Sequence, residues 1–228
     1  MARDFNGTSD RIDWANVFDV TSQPITVSAW INVDDLDVNR YIFHVNNSTG
    51  GYGSLLTIID TDLTPGRLLW LKASAAGGSS DTFRTSSTLL TIGPWYHVLA
   101  TDSGGLTASN INLYINGTEV SYYNTNNGAD QKTTNGTWSI GGRTVDDNRN
   151  TDGRIAEVGV WNRVLTAGEI TSLAKGFSPI FYKKLLKFYC PITGNATLEP
   201  NLVGARATTH DGTTKATHPR IIYPKGGF

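Results

Sequence analysis

The sequence predicts an all-β chain, two stacked antiparallel sheets with one short helix, and three observations carry that prediction. Apolar residues recur with period two in run after run, as half-buried strands require. Between the runs lie breaks rich in Gly, Asn, Ser and Asp, such as "NNSTGGYG" and "SAAGGSSD", which are turn chemistry. The composition disfavours helices: 228 residues hold 24 Gly and one Met, and the glutamates are Glu119, Glu157, Glu169 and Glu199.

The strands follow in order. In "ITVSAWINV", Ile25, Val27, Ala29, Ile31 and Val33 fall on one face, opposite Thr26, Ser28, Trp30 and Asn32. "YIFHVN", "SLLTIID", "RLLWLKAS" and "WYHVLATD" supply four more strands. "INLYINGTEVSYY" predicts a hairpin turning at Asn116-Gly117, because both residues tolerate the positive φ of a type I′ turn. Asn135-Gly136 marks another turn, and the N-x-[ST] triplets at Asn6, Asn47, Asn116, Asn135 and Asn195 are read as turns too. In "DGRIAEVGVWNRVLTAGEI", residues 152 to 170, Ile155, Glu157, Gly159 and Trp161 alternate against Ala156, Val158 and Val160. Thr166 and Glu169 then form a T-x-x-E capping box for a short helix that Lys175-Gly176 ends. Many strands and one brief helix imply a sandwich, with the helix over an end or edge.

A net charge of −1 supplies no general field toward nucleic acid or an anionic membrane. Lys183, Lys184 and Lys187 are expected on a solvated strand edge, with Leu185 between, where like charge discourages stray pairing. The single cysteine, Cys190, excludes an intrachain disulfide and is expected to be buried and inert. No run of eighteen apolar residues is present, so membrane insertion is not expected. "MARDFNGTSD" lacks the apolar segment of an ordinary secretory signal.

Four stretches in this order carry a resemblance: "DFNGTSDRIDW", "ITVSAWINV", "WYHVLATD…INLYINGTEV" and "WSIGGR…DGRIAEVGVWNRVLTAGEITSLAKG". Together they resemble a laminin-G-like jelly roll of the concanavalin A-like lectin/glucanase superfamily, over residues 4 to 176. One departure is Ala156, which precedes Glu157 where the family usually carries an acidic residue. The end of the chain, "LLKFYCPITG…EPNLVGARATTHDGTT", resembles the opening of many relatives. A permuted order follows as an expectation. Residues 1–228 would form a single domain, in which strands of 177–228 complete the sandwich beside residues 4–14 and bury Leu186, Phe188 and Ile192.

The superfamily includes β-glucanases, so the resemblance raises glycoside hydrolysis as an activity. A retaining glycosidase needs two carboxyl groups roughly 5–5.5 Å apart, and the E-x-D-x-x-E strand that supplies them in such relatives does not occur here. Glu157 is the best-placed acid, yet Val158 and Gly159 follow it. His44, His97, His210 and His218 lack ligand spacing and are expected as half-buried strand or loop residues. No catalytic residue is expected and no cofactor is required. Calcium is the one ion worth considering: Asp146, Asn148, Asn150 and Asp152 alternate before Gly153, but Gly159 stands where a bidentate Glu would close the loop. Lectin sites stack sugars on exposed aromatic rings. Of Trp14, Trp30, Trp70, Trp95, Trp138 and Trp161, Trp30 and Trp161 are expected in the core; Tyr122, Tyr123 and Asn124 of "SYYNTNNG" form a loop-flanking candidate contact patch, for a glycan or a partner interface.

Stand-alone domains resembling this one, including the "HPRIIYP" type of ending, occur among bacteriophage structural proteins. The resemblance therefore implies a non-enzymatic virion surface protein, of capsid-decoration or fibre type, assembled in the host cytoplasm. Its partners would be other virion proteins, identical copies or cell-surface glycans, with no nucleic acid. The alternative is a free or secreted extracellular carbohydrate-binding lectin module.

Overall fold

The apolar runs become strands in the computed structural model, which describes residues 2–15, 20, 24–46, 52–61, 64–75, 80–134, 136–143, 149–192, 200–203 and 209–225. In chain order they are β1 (Ala2–Asn6), β2 (Arg11–Trp14), β3 (Ile25–Val33), β4 (Arg40–Asn46), β5 (Tyr52–Thr61), β6 (Thr64–Lys72), β7 (Thr82–Leu89) and β8 (Tyr96–Asp102). There follow β9 (Ile111–Ile115), β10 (Thr118–Glu119), β11 (Tyr122–Asn126), β12 (Trp138–Ile140), β13 (Asp152–Trp161), β14 (Leu186–Cys190), β15 (Thr209–Asp211) and β16 (Thr214–Ala216). The helix, α1 (Ala167–Ala174), follows β13. One sheet runs β10-β9-β8-β3-β13-β1-β16, with β14 also on β13; the other runs β11-β7-β6-β5-β4-β12-β2-β15. The fold is an all-β antiparallel two-sheet sandwich, a concanavalin A-like jelly roll. No helix of the described residues is long and apolar enough to cross a membrane.

The core lies between the sheets. Ile25, Val27, Ala29, Ile31 and Val33 of β3 face Phe43, Val45, Leu68 and Trp70 across it. Trp14 stacks on Phe188, with ring centroids 4.0 Å apart and planes 4° from parallel. A buried ion pair also crosses the layers: Lys72 Nζ lies 2.9 Å from Asp102, which accepts the Trp70 indole N–H at 3.1 Å. The Gly104 amide donates to the same carboxylate at 2.8 Å, and such extra donors are what make a buried charge tolerable.

Three expectations change. Trp30 is only partly buried and meets His97 edge-on, centroids 5.4 Å apart, whereas Trp161 is buried with Leu165, Ile170 and Leu173 in a second cluster under α1. The alternation of β13 breaks at a bulge: its register with β3 jumps between Ala156 and Gly159, and Glu157 sits at φ 55°. Ile155 and Val158, expected on opposite faces, consequently both join the main core. Lys183 to Leu185 form a turn instead of a strand edge, with Leu185 at φ 55°, and β14 starts at Leu186.

The capping box of α1 forms: Glu169 N–H donates to the Thr166 hydroxyl, and Thr166 N–H donates back to the carboxylate. Arg163 adds two bonds of 2.8 and 2.6 Å to that carboxylate. They lead the causes that pull its pKa down to about 2. Beyond Gly176, β14 pairs with β13, β16 with β1, and β15 with β2. Leu186, Phe188, Cys190 and Ile192 are buried there.

Candidate functional site

A sheet with one face in water should alternate apolar with polar residues. β5 and β6 do not. Their Leu56, Ile58, Leu68 and Trp70 enter the main core, while Leu55, Ile59 and Leu69 form a separate cluster with Tyr41 of β4, joined by Leu71 and Phe83. This second apolar surface floors a groove on the outer face of the sheet. One part, about 330 Å³, is bordered by Asn39, Thr57, Ser74, Asp81, Lys132 and Arg149. The adjoining part, about 360 Å³, shares Asn39, Ile59, Leu69 and Leu71 and is closed by Phe83, Thr85, Tyr123 and Asn124.

Second contacts fix the floor. Arg149 donates to the Tyr41 hydroxyl at 3.2 Å, and the Arg143 guanidinium lies 6.0 Å from the Tyr41 ring centroid. His44 sits 5.8 Å from the same ring. Burial first, and then the charge of Arg143, lowers its pKa to about 3, so it stays neutral near pH 7. Asp81 accepts the Ser74 amide at 2.7 Å and is the carboxylate among the described lining residues.

The three predicted contact residues separate. Pairing of β11 with β7 shifts between Tyr122 and Asn124, so Tyr123 is an inserted residue, and both it and Asn124 reach the groove. Tyr123 is 50% exposed, and the Arg67 guanidinium lies 3.7 Å from its ring centroid. Ser86 and Ser87 carbonyls accept from Arg67 at 3.0 and 3.2 Å, which holds it in place. Tyr122 packs against the main core instead. Its hydroxyl accepts from Leu113 N–H and donates to Glu119 at 2.8 Å; burial, followed by that bond, pushes its pKa up to about 12.

Of the four calcium candidates, Asp146 and Asn148 lie outside the described residues. Asn150 is buried and its amide donates to the Thr8 carbonyl at 2.8 Å, while Asp152 opens β13 opposite Asn6. Among the described residues no three His, Cys, Asp or Glu side chains gather to hold a metal. Two histidines expected as half-buried, His44 and His97, are fully buried.

Glu157 is engaged elsewhere. Tyr189 and Tyr223 donate to its two oxygens at 2.7 and 2.6 Å, Ser178 donates to Tyr189 at 2.7 Å, and His218 Nε2 lies 3.2 Å away. Burial, then the Glu157 charge, pushes both tyrosine hydroxyls well above their ordinary range. The acid that looked best placed for chemistry anchors the end of the chain.

A family profile described as the concanavalin A-like lectin/glucanases superfamily, Laminin_G_3, matches residues 6–171. The chain belongs to this superfamily. Among solved structures, this superfamily member is similar to a provisionally assigned carbohydrate-binding protein from Bacteroides ovatus, at 23% identity and a TM-score of 0.68. That match covers 95% of the chain and only 59% of the Bacteroides protein. Domain 4 of AbnA, a GH43 extracellular arabinanase from Geobacillus stearothermophilus solved with arabinotriose, matches at 22% identity and a TM-score of 0.57, over 76% of each chain. A heptameric SAP-like pentraxin from Limulus polyphemus matches at 19% identity and a TM-score of 0.58, over 76% of this chain and 81% of its own. At these identities the likeness is one of fold. No curated protein matches significantly.

Proposed function

We propose that this chain is a non-enzymatic saccharide-binding module that holds an oligosaccharide in the groove on the outer face of its second sheet. One observation carries the reading: an apolar floor with a polar rim lies where a solvated sheet face should be polar. A sugar ring offers an apolar C–H face and a belt of hydroxyls. The half-exposed Tyr123 ring suits the first, and Asn39, Asn124 and Arg149 suit the second. Two of the similar structures carry saccharide binding in their descriptions, which supports the reading. Most glycoside hydrolases use a pair of carboxyl groups, and Asp81 is the carboxylate of the described lining, which favours binding over hydrolysis.

The wider setting we propose is the one the resemblance implied, a virion surface built in the host cytoplasm, with a free extracellular lectin as the alternative. Mass spectrometry of purified particles tests that setting. The groove is tested separately, by calorimetric titration with oligosaccharides selected on a glycan array. Tyr123→Ala should weaken binding about ten-fold, the usual loss for truncating one central aromatic contact. Its melting temperature should fall by no more than a few degrees, because Tyr123 belongs to neither apolar cluster and gives up only its contact with Arg67. Undiminished binding by this variant and by Arg149→Ala would remove the groove from consideration.

A further inference from the structure

The two ends of the sandwich carry opposite chemistry. They are separated by β3, roughly 25–30 Å long at the rise of a strand. At its Val33 end, where Gly93 N–H donates to the Val33 carbonyl, an open depression of about 690 Å³ is lined by Leu36, Leu89 and Ile92. Leu89 and Ile92 are 40% and 58% exposed. Asp34, Asp35 and Asp37 border it. Asp34 pairs with Arg154 at 3.1 Å and Asp35 pairs with Arg40, while Asp37 has no ion pair among the described residues.

At the opposite end, the Thr26 hydroxyl donates to the Arg163 carbonyl and Asn162 N–H donates to the Leu185 carbonyl at 2.9 Å. These bonds bring Val164 and the turn at 183–186 together. Val164 and Leu185 are 41% and 47% exposed. Lys183, Lys184 and Lys187 are exposed beside them, and none forms an ion pair among the described residues.

Leu185 is the unexpected residue. It stands at φ 55°, in a turn closed by Leu186 N–H donating to the Lys183 carbonyl at 3.1 Å. That backbone region strains an L side chain, and glycine or asparagine normally fills it. A half-exposed leucine recovers little packing in return. Strain of this kind persists where function holds it.

We infer that the chain associates head to tail with a second copy of itself, the Val164–Leu185 knob entering the acidic depression of its neighbour. Apolar surface meets apolar surface, and Lys184 comes to the carboxylate of Asp37. Because the two surfaces occupy opposite ends, the contact is heterologous and propagates into a ring or filament instead of closing as a two-fold dimer.

Sedimentation velocity of the whole chain, from micromolar to millimolar concentration, tests this. We expect species that grow with concentration and shrink as salt is added. Lys184→Glu and Asp37→Lys should each weaken association about ten-fold, and the double variant should recover it. Leu185→Gly separates an interface residue from a structural one: relieved of strain it should melt higher, yet associate less. A monomer at every concentration, association untouched by either reversal, or wild-type association by Leu185→Gly would each overturn the proposal.

Discussion

His97 is enclosed between Ser28, whose hydroxyl lies 2.8 Å from Nε2, and the edge of Trp30. Burial lowers its pKa to about 3, and His44 is likewise lowered to about 3. In an unfolded chain both would titrate near the ordinary 6.5. Between those values the unfolded state binds protons that the folded state refuses. Stability is therefore full above about pH 6.5 and falls as pH drops, by about 1.4 kcal/mol per unit for each histidine. Urea midpoints should decline steadily from about pH 7 to about pH 5, before the carboxylates titrate; a flat profile would contradict the buried neutral state. Nothing in the sequence distinguishes these two histidines, because each is polar in a strand whose other face is apolar. Tyr122 and Tyr123 pose the same difficulty. Which of two neighbouring tyrosines faces the groove depends on a bulge against β7, and pairing between distant strands leaves no mark on the residues themselves. Cys190 was legible, since its neighbours on both sides are apolar and it is buried.

Elements with local rules were the legible ones. Asn116 and Gly117 adopt φ 51° and 82°, the left-handed pair a tight hairpin needs. The companion pair at 135–136 cannot be compared in the same way, because Asn135 lies outside the described residues. The capping box is local too, and its energetics can be tested. Thr166→Ala removes the hydroxyl that accepts Glu169 N–H, and should cost about 1 kcal/mol in urea denaturation at neutral pH. The Glu169 carboxyl is held down at about 2, from an ordinary 4.5, chiefly by its bond to Arg163. Its contribution is thus present above about pH 4.5 and disappears as pH falls toward 2. The Thr166→Ala penalty should accordingly shrink over that interval, and a constant penalty would separate the cap from the carboxylate. In the groove, Tyr123 and Asn124 were legible and the floor was not. "SLLTIID" and "RLLWLKAS" were expected as half-buried strands, and it is their pairing within the sheet that turns a second apolar row outward. The contribution of β7 was hidden, because "TFRTSSTL" is polar enough to pass for a loop.

At the scale of the whole molecule, the order of strands along the chain matters more than the strands themselves. β1 pairs with β13 at residues 152–155, and β14 pairs with the same strand at residues 158–161. The first and one of the last strands thus share the pairing of one long strand. Without residues 177–228, half of β13 would lose its β14 partner, and β1 and β2 would lose β16 and β15. The core would lose Phe188 from the face of Trp14, a deletion of the size that costs about 3–5 kcal/mol for an aromatic alone. Glu157 would lose Tyr189, Tyr223 and His218, and Leu186, Cys190 and Ile192 would leave the interior with them. Together these approach the whole stability of an ordinary domain, about 5–15 kcal/mol. A fragment of residues 1–176, which contains the whole of the superfamily match, should therefore be insoluble or melt without cooperativity. Adding residues 177–228 back on a linker ahead of β1 should restore a single cooperative transition, since the strands they supply pair beside that end. Circular dichroism melts of the two forms decide the matter: a fragment that unfolds sharply by itself would show that the C-terminal strands decorate the sandwich and do not close it.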